Sequence, residues 1–489
     1  MIKFLDFIKK NGDILSVLFF ASILCFNLFL NNDLVLAGDG AGWDGAQYPP
    51  VLENFLEMFK NRQIDTYLMQ RLGLTALLFL INKLGNWTPT LTEMILEWKI
   101  ANFILLTSAA LVYFKLTNDL KWDIFKRNIV FVLVFFNFPV LKFSSYYPIL
   151  TDYTAFALTL FLLYAWYSEK KYLLLSVFLF SLFTFPSSIL YAPLLIFKKT
   201  AATTFLKSRS KNHFQLLGAV FCISFILIDI FALEFNVLQI QIQRDSHLSE
   251  WIHFSRIWFA LWLSFLISLG VSYLLRFRFS VILQQIDKKM MLAVSIIFIV
   301  TRFLIGHYGS PTYLSSFGRF LYVDLFPGAL VYPFANLINH FIYYGFAPLI
   351  FLVFFKKCLK KIEINGLGFM CFFLISFFFS SHAEPRQVIN FIPLLFIIMF
   401  NATDLLKLFS KTQWLMIVIF QMIWSRFWYQ ITPETKNWEE FWLRYMQFQG
   451  PWMAEKYYYF YLFCLLFTLL GLLGFVWYRN QFFKNNKTS

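Results

Sequence analysis

Asp39 and Asp44 are the carboxylates of a short polar stretch, Gly38–Pro50, that reads Gly-Asp-Gly-Ala-Gly-Trp-Asp-Gly-Ala-Gln-Tyr-Pro-Pro. A carboxylate in such a loop can take a proton from a hydroxyl, and two nearby carboxylates can share a divalent cation such as Mg²⁺ or Mn²⁺. Gly38, Gly40, Gly42 and Gly45 surround the pair. Glycine lets the backbone turn through positive φ and lets a ligand approach closely. Trp43 and Tyr48 offer flat rings with polar tips, suited to a sugar ring or to a membrane interface. Asp-Gly is also a common turn dipeptide, so the plain alternative for both acids is a turn.

The elements that must position this stretch are apolar. Of the 489 residues, 59% are hydrophobic and 14% charged. Several runs approach or exceed the roughly 18 apolar residues that mark a membrane-crossing helix. No polar stretch is long enough for a separate soluble domain, so residues 1–489 read as a single integral membrane domain, all-α and polytopic. The net charge of +15 is carried by Lys and Arg in short loops between apolar runs, a topology signal rather than a nucleic-acid surface. The five cysteines have no paired spacing, which points to neither a disulfide framework nor a zinc site.

The first apolar run, Asp13–Asn32, lacks a small-residue cleavage pattern and reads as an uncleaved span. Lys3, Lys9 and Lys10 precede it, so the N-terminus is expected in the cytoplasm and Gly38–Pro50 on the other side. Pro49 and Pro50 can open a helix. Val51, Leu52, Phe55, Leu56 and Phe59 then recur at helical spacing, which predicts an amphipathic helix of about four turns lying on the membrane surface. Arg71–Leu84 is 14 residues, about 21 Å of helix against a hydrocarbon core of about 30 Å. It is expected as a second interfacial or re-entrant helix, because crossing would put Lys115, Lys121, Lys126 and Arg127 on the outer side. Residues 33–97 then form one long outer loop, whose eight acids and four bases give it a net −4.

Counting onward predicts about 14 membrane segments, with both termini inside and outer loops at 236–256, 307–330, 382–387 and 430–456. Phe185-Pro186-Ser187-Ser188 is expected to break one segment into two short helices. Asn128–Tyr147 and Val331–Phe355 are each expected as one span, and the tail after Arg479 as disordered.

A first span followed by a long outer loop with Trp-Asp-Gly-Ala-Gln-Tyr at Trp43–Tyr48, and then surface helices, resembles the GT-C glycosyltransferases, in particular their Trp-Asp-Gly mannosyltransferase-like members. Looser similarities lie at Arg71, at Thr151-Asp152 and at Pro385-Arg386, and the resemblance is topological through Met1–Phe197. It implies sugar transfer from a polyprenyl-phosphate donor to a glycan, lipid or protein acceptor, usually with inversion. It also implies an acidic base in the first outer loop: Asp44, in the Trp-Asp-Gly match, with Asp39 helping to bind sugar or metal. Trp43, Gln47 and Tyr48 would line the substrate, and Arg71, Arg386, His307 or Arg319 would meet the phosphate, which arginine can bind with two parallel hydrogen bonds. The implied location is the bacterial inner (plasma) membrane, or the endoplasmic reticulum membrane of a eukaryote.

Blander readings stand beside these. Arg71 and Arg386 also suit interfacial anchors, Asp152 a helix cap after Thr151, and His340 a bond between helices. His247 and His253 have no good ligand spacing. The aromatic residues between Trp438 and Tyr459 suit an acceptor platform or an interfacial belt. The rival function is a transporter or flippase of a lipid-linked glycan. Such proteins tend to show inverted repeats and mid-membrane charge pairs, whereas the acids here concentrate in a loop.

Overall fold

A computed structural model describes residues 2–31, 33–199, 248–274, 279–311, 332–381, 384–402, 409–445, 447, 453 and 455–488. Every regular element among them is helical, and extended pairing is confined to two isolated bridges, Asp65 with Ser310 and Phe197 with Ile286. Four helical stretches are long and apolar enough to cross a membrane: Asn11–Leu30, Leu91–Asp119, Lys288–Tyr308 and Glu455–Trp477. A bent pair, Ile124–Phe135 and Phe138–Tyr146, makes a fifth. Their outward surfaces are oily. Leu30, Ile104, Phe303, Phe467 and Leu470 are each more than half exposed, which fits a lipid surrounding and makes this a membrane protein.

Among the described residues four helices, or five with the bent pair, are long and apolar enough to cross, beside the about 14 segments expected for the whole chain. Most remaining apolar helices run only 10–17 residues, too short at 1.5 Å per residue to span the hydrocarbon layer upright. The expected span Phe214–Phe235 lies outside the described residues.

Several expected spans are interrupted for identifiable reasons. Ile124–Phe135 ends before Asn137, and the chain bends by 61° where Pro139 opens a wide-turn helix, Phe138–Phe143. Proline cannot donate to the preceding turn. Val331–Phe355 is split at Gly345, whose φ of 66° ends Ala335–Tyr344 before Phe346–Val353 begins. The Pro186 break is present: Lys171–Leu182 stops, a 3-10 turn runs from Pro186 to Tyr191, and Ala192–Ile196 follows. The segment after Arg479 continues the helix Glu455–Thr488, against the expected disorder. Leu248–Leu274 already begins within the expected loop 236–256.

Two helices follow the Trp-Asp-Gly turn, Tyr48–Lys60 and Gly73–Leu84, with a single turn, Thr66–Met69, between them. They share a small core of Val51, Leu52, Leu68, Leu74 and Leu78 with Met94, Ile95 and Trp98. This satellite core sits apart from the main one, which gathers the long helices. It packs the first loop against the helix Leu91–Asp119, whose start is fixed by a reciprocal cap between Thr90 and Glu93.

Candidate active site

The Trp-Asp-Gly turn is folded around one buried phenol. Tyr147, which follows the bent pair, accepts hydrogen bonds on its hydroxyl from the backbone N–H of Asp44 at 2.7 Å and of Gly45 at 3.2 Å. Gly42 has a φ of 78°, and a Cβ there would stand 2.1 Å from the Tyr147 ring. Only glycine fits, on conformation and on space alike.

The turn delivers the Asp44 carboxylate to Arg386, whose Nη2 donates to Asp44 Oδ2 at 2.9 Å. The same guanidinium donates through Nε to Glu384. Arg386 lies on the short turn Pro385–Val388, anchored from behind where Tyr344 donates to the Pro385 carbonyl at 2.7 Å. Burial tends to raise the Asp44 carboxyl, but Arg386, and after it Arg71, outweigh burial and hold it below the usual carboxylate range.

Arg71 sits in the turn before the second surface helix and is 5% exposed, so it does not open that helix as an interfacial anchor would. Its guanidinium stacks on Tyr67 at 4.5 Å and on Phe185 at 5.1 Å, and its Nε has no hydrogen-bond partner among the described residues. Asp152 begins the helix Asp152–Tyr167, whose cap position is held by Thr151 without a side-chain cap bond. Asp152 is buried, its Oδ2 is also unpartnered, and it lies within electrostatic reach of both arginines. Asp44, Arg71, Asp152, Glu384 and Arg386 thus form one charged cluster, walled by Tyr48, Tyr67 and Tyr147.

An aromatic wall adjoins it. Trp43 is 42% exposed and stands with its ring centroid 5.7 Å from Trp442 and 5.2 Å from Tyr445. Both partners belong to Trp438–Tyr445, a short helix in the expected loop 430–456. A buried clamp brings that helix here. Asp33 accepts from Lys142 Nζ at 2.5 Å and from the N–H groups of Ile431 and Thr432 at 2.8 Å each, and Thr432 donates its hydroxyl to the Leu34 carbonyl.

The other expected residues are elsewhere. Asp39 is exposed, has a φ of 51° and holds a left-handed turn. His307 is exposed and pairs with Arg62 at 3.4 Å, with its ring stacked on Phe303. Gln47 is exposed, whereas Tyr48 is buried with its ring edge-on to Trp98. His340 meets the Ser380 carbonyl on a neighbouring helix. Arg319 and His247 lie outside the described residues.

A divalent cation does not fit the expected pair. Among the described residues no three His, Cys, Asp or Glu side chains are grouped so that they could hold a metal ion. Asp44 faces a guanidinium, beside which a second cation would be repelled.

Sequence reasoning did not single out Tyr147, Glu384 or the Asp33–Lys142 clamp. Only Lys142 carried a signal, as a charge inside an apolar run, where a partner is the default expectation. Comparison of the chain with protein-family models, curated proteins and solved structures finds no match.

Proposed function

We propose that this chain is an integral-membrane glycosyltransferase. It moves a sugar from a polyprenyl-phosphate donor to a glycan, lipid or protein acceptor on the extracytoplasmic side, in a GT-C-like arrangement of about 14 membrane segments. The observation that carries the reading is Asp44 at 2.9 Å from Arg386, beside a buried arginine, Arg71, with an unpartnered Nε. Glycosyl transfer to a hydroxyl is helped by a base that takes the acceptor proton and by positive charge on the departing phosphate, and the cluster supplies a carboxylate and two guanidinium groups.

In this reading the acceptor hydroxyl gives its proton to the Asp44 carboxylate while its oxygen bonds to the anomeric carbon. The bond from that carbon to the phosphate oxygen breaks, and its electron pair leaves with the polyprenyl phosphate. Arg71 and Arg386 hold the departing phosphate. A phosphate arriving at Arg386 competes with Asp44 for the guanidinium and so makes the carboxylate more basic. Trp43, Trp442 and Tyr445 give the sugar or acceptor a stacking face.

The test is transfer by purified protein from radiolabelled polyprenyl-phosphate sugars to a native membrane extract, wild type beside Asp44→Asn. Loss of a base costs about 10²–10⁴-fold, so label should appear with wild type and nearly vanish with Asp44→Asn. Equal transfer by a folded Asp44→Asn removes Asp44 from the role. No transfer with any donor favours the flippase.

A further inference from the structure

A cavity lies on the first loop, lined from the helices Tyr48–Lys60 and Gly73–Leu84 and the turn that follows them. Its volume is about 710 Å³, within the roughly 300–1,000 Å³ of small-molecule sites. Tyr48 starts the helix Tyr48–Lys60 at the charged cluster, and Glu53, Asn54 and Glu57 of the same helix line the cavity. Asn82, Asn86 and Trp87 face them.

The lining has the chemistry of carbohydrate recognition. Trp87 is 47% exposed and presents a flat face for the apolar side of a sugar ring. Amides around it can donate to and accept from hydroxyls, and the carboxylates accept from them. Part of the lining is fixed in place. Asn82 is 6% exposed, donates Nδ2 to Glu97 at 3.0 Å and accepts the Trp87 N–H on its backbone carbonyl at 2.9 Å. Glu97 is itself buried, and its other oxygen is unpartnered. The charge balance argues against an anionic ligand. Glu53 and Glu57 face a single cation, Lys83, whose ammonium is drawn toward the Phe79 ring at 5.8 Å. A phosphate or acidic headgroup would meet two carboxylates.

We infer that this cavity binds a neutral oligosaccharide away from the charged cluster. Its role, holding an outlying part of the acceptor, rests on the glycosyltransferase reading; the binding itself does not.

The experiment is saturation-transfer NMR on the full chain in lipid nanodiscs, with mannotriose, cellotriose, maltotriose and chitotriose as probes. Wild type and Asp44→Asn are expected to bind at least one probe equally, and Trp87→Ala to bind it at least about tenfold more weakly. Glu57→Ala changes an exposed side chain and serves as a second variant, expected to weaken the same probe. Binding that survives both variants overturns the proposal, as does no binding of any probe. Fluorescence quenching by lipids spin-labelled on their acyl chains, present in wild type and removed by Trp87→Phe, also overturns it, because the indole would then be a membrane anchor. Absence of sugar transfer alters none of these readouts.

Discussion

The Asp33–Lys142 pair gives the sharpest mechanical prediction. Lys142→Met removes the cation and keeps an apolar stem of similar length. The wild-type pair is 2.5 Å apart with side chains 0% and 1% exposed, so water cannot replace the lost partner. Breaking such a pair costs about 3–5 kcal/mol. The bonds from Ile431 and Thr432, at 2.8 Å each, remain and retain part of the stabilisation of the carboxylate, so about 3 kcal/mol is expected. Asp33→Asn/Lys142→Met carries no buried charge and should regain at least about half of that loss. The assay is chemical unfolding in nanodiscs followed by tryptophan fluorescence, paired with amide exchange over residues 430–445. Lys142→Met should accelerate exchange there first, because the clamp holds the segment leading into Trp438–Tyr445. The wall opposite Trp43 should loosen with it. A cost under about 0.5 kcal/mol, with exchange at Ile431 and Thr432 unchanged, would refute the reasoning. A double variant that loses the sum of both singles would refute it too.

Three further outcomes follow from the site. In Arg386→Gln the burial effect on Asp44 is no longer outweighed, so its carboxyl rises. The wild-type group, held low, stays ionised as pH falls past the usual carboxylate range; the variant takes up its proton sooner, and the acid limb of the transfer rate should move to higher pH. The linked stability has the same sign: the Asp44–Arg386 contribution is present above the unfolded carboxylate pKa and is lost as pH falls through the folded one. An acid limb that does not move rejects the pairing. Gly42→Ala meets both a φ of 78° and a contact at 2.1 Å, and should cost about 2–5 kcal/mol in unfolding measurements; a neutral result removes Tyr147 as the template of the turn. Tyr147→Phe keeps the ring but leaves the N–H groups of Asp44 and Gly45 without their acceptor, an expected loss of about 1–3 kcal/mol that calorimetry would read, with slower transfer by protein that still folds.

Much of the helical content was legible because apolar runs and proline positions act locally. The Pro186 break follows from a missing N–H, and the same rule at Pro139 was open to use. The kink at Gly345 was not legible from periodicity, since apolar residues flank that glycine on both sides and its positive φ is what divides Ala335–Tyr344 from Phe346–Val353. Among the described residues the long straight spans are fewer than the apolar runs for a related reason. Hydropathy registers apolar residues, but not whether a helix stays straight long enough to cross.

The site divides along the same line. Asp44 and Arg386 are 342 residues apart in the chain, and no local pattern reports that distance closing. Asp39 and Asp44 show the limit most plainly, being five residues apart, of one type and each followed by glycine. Their fates separate on backbone geometry. Gly38 and Asp39 both turn through the left-handed region, at 57° and 51°, and Asp39 is left exposed. At Asp44 the backbone is helical and its N–H is fastened to Tyr147, which turns the carboxylate toward Arg386. What separates a turn residue from a candidate base here is a phenol 103 residues away, supplied by the bend at Pro139 and absent from the motif itself.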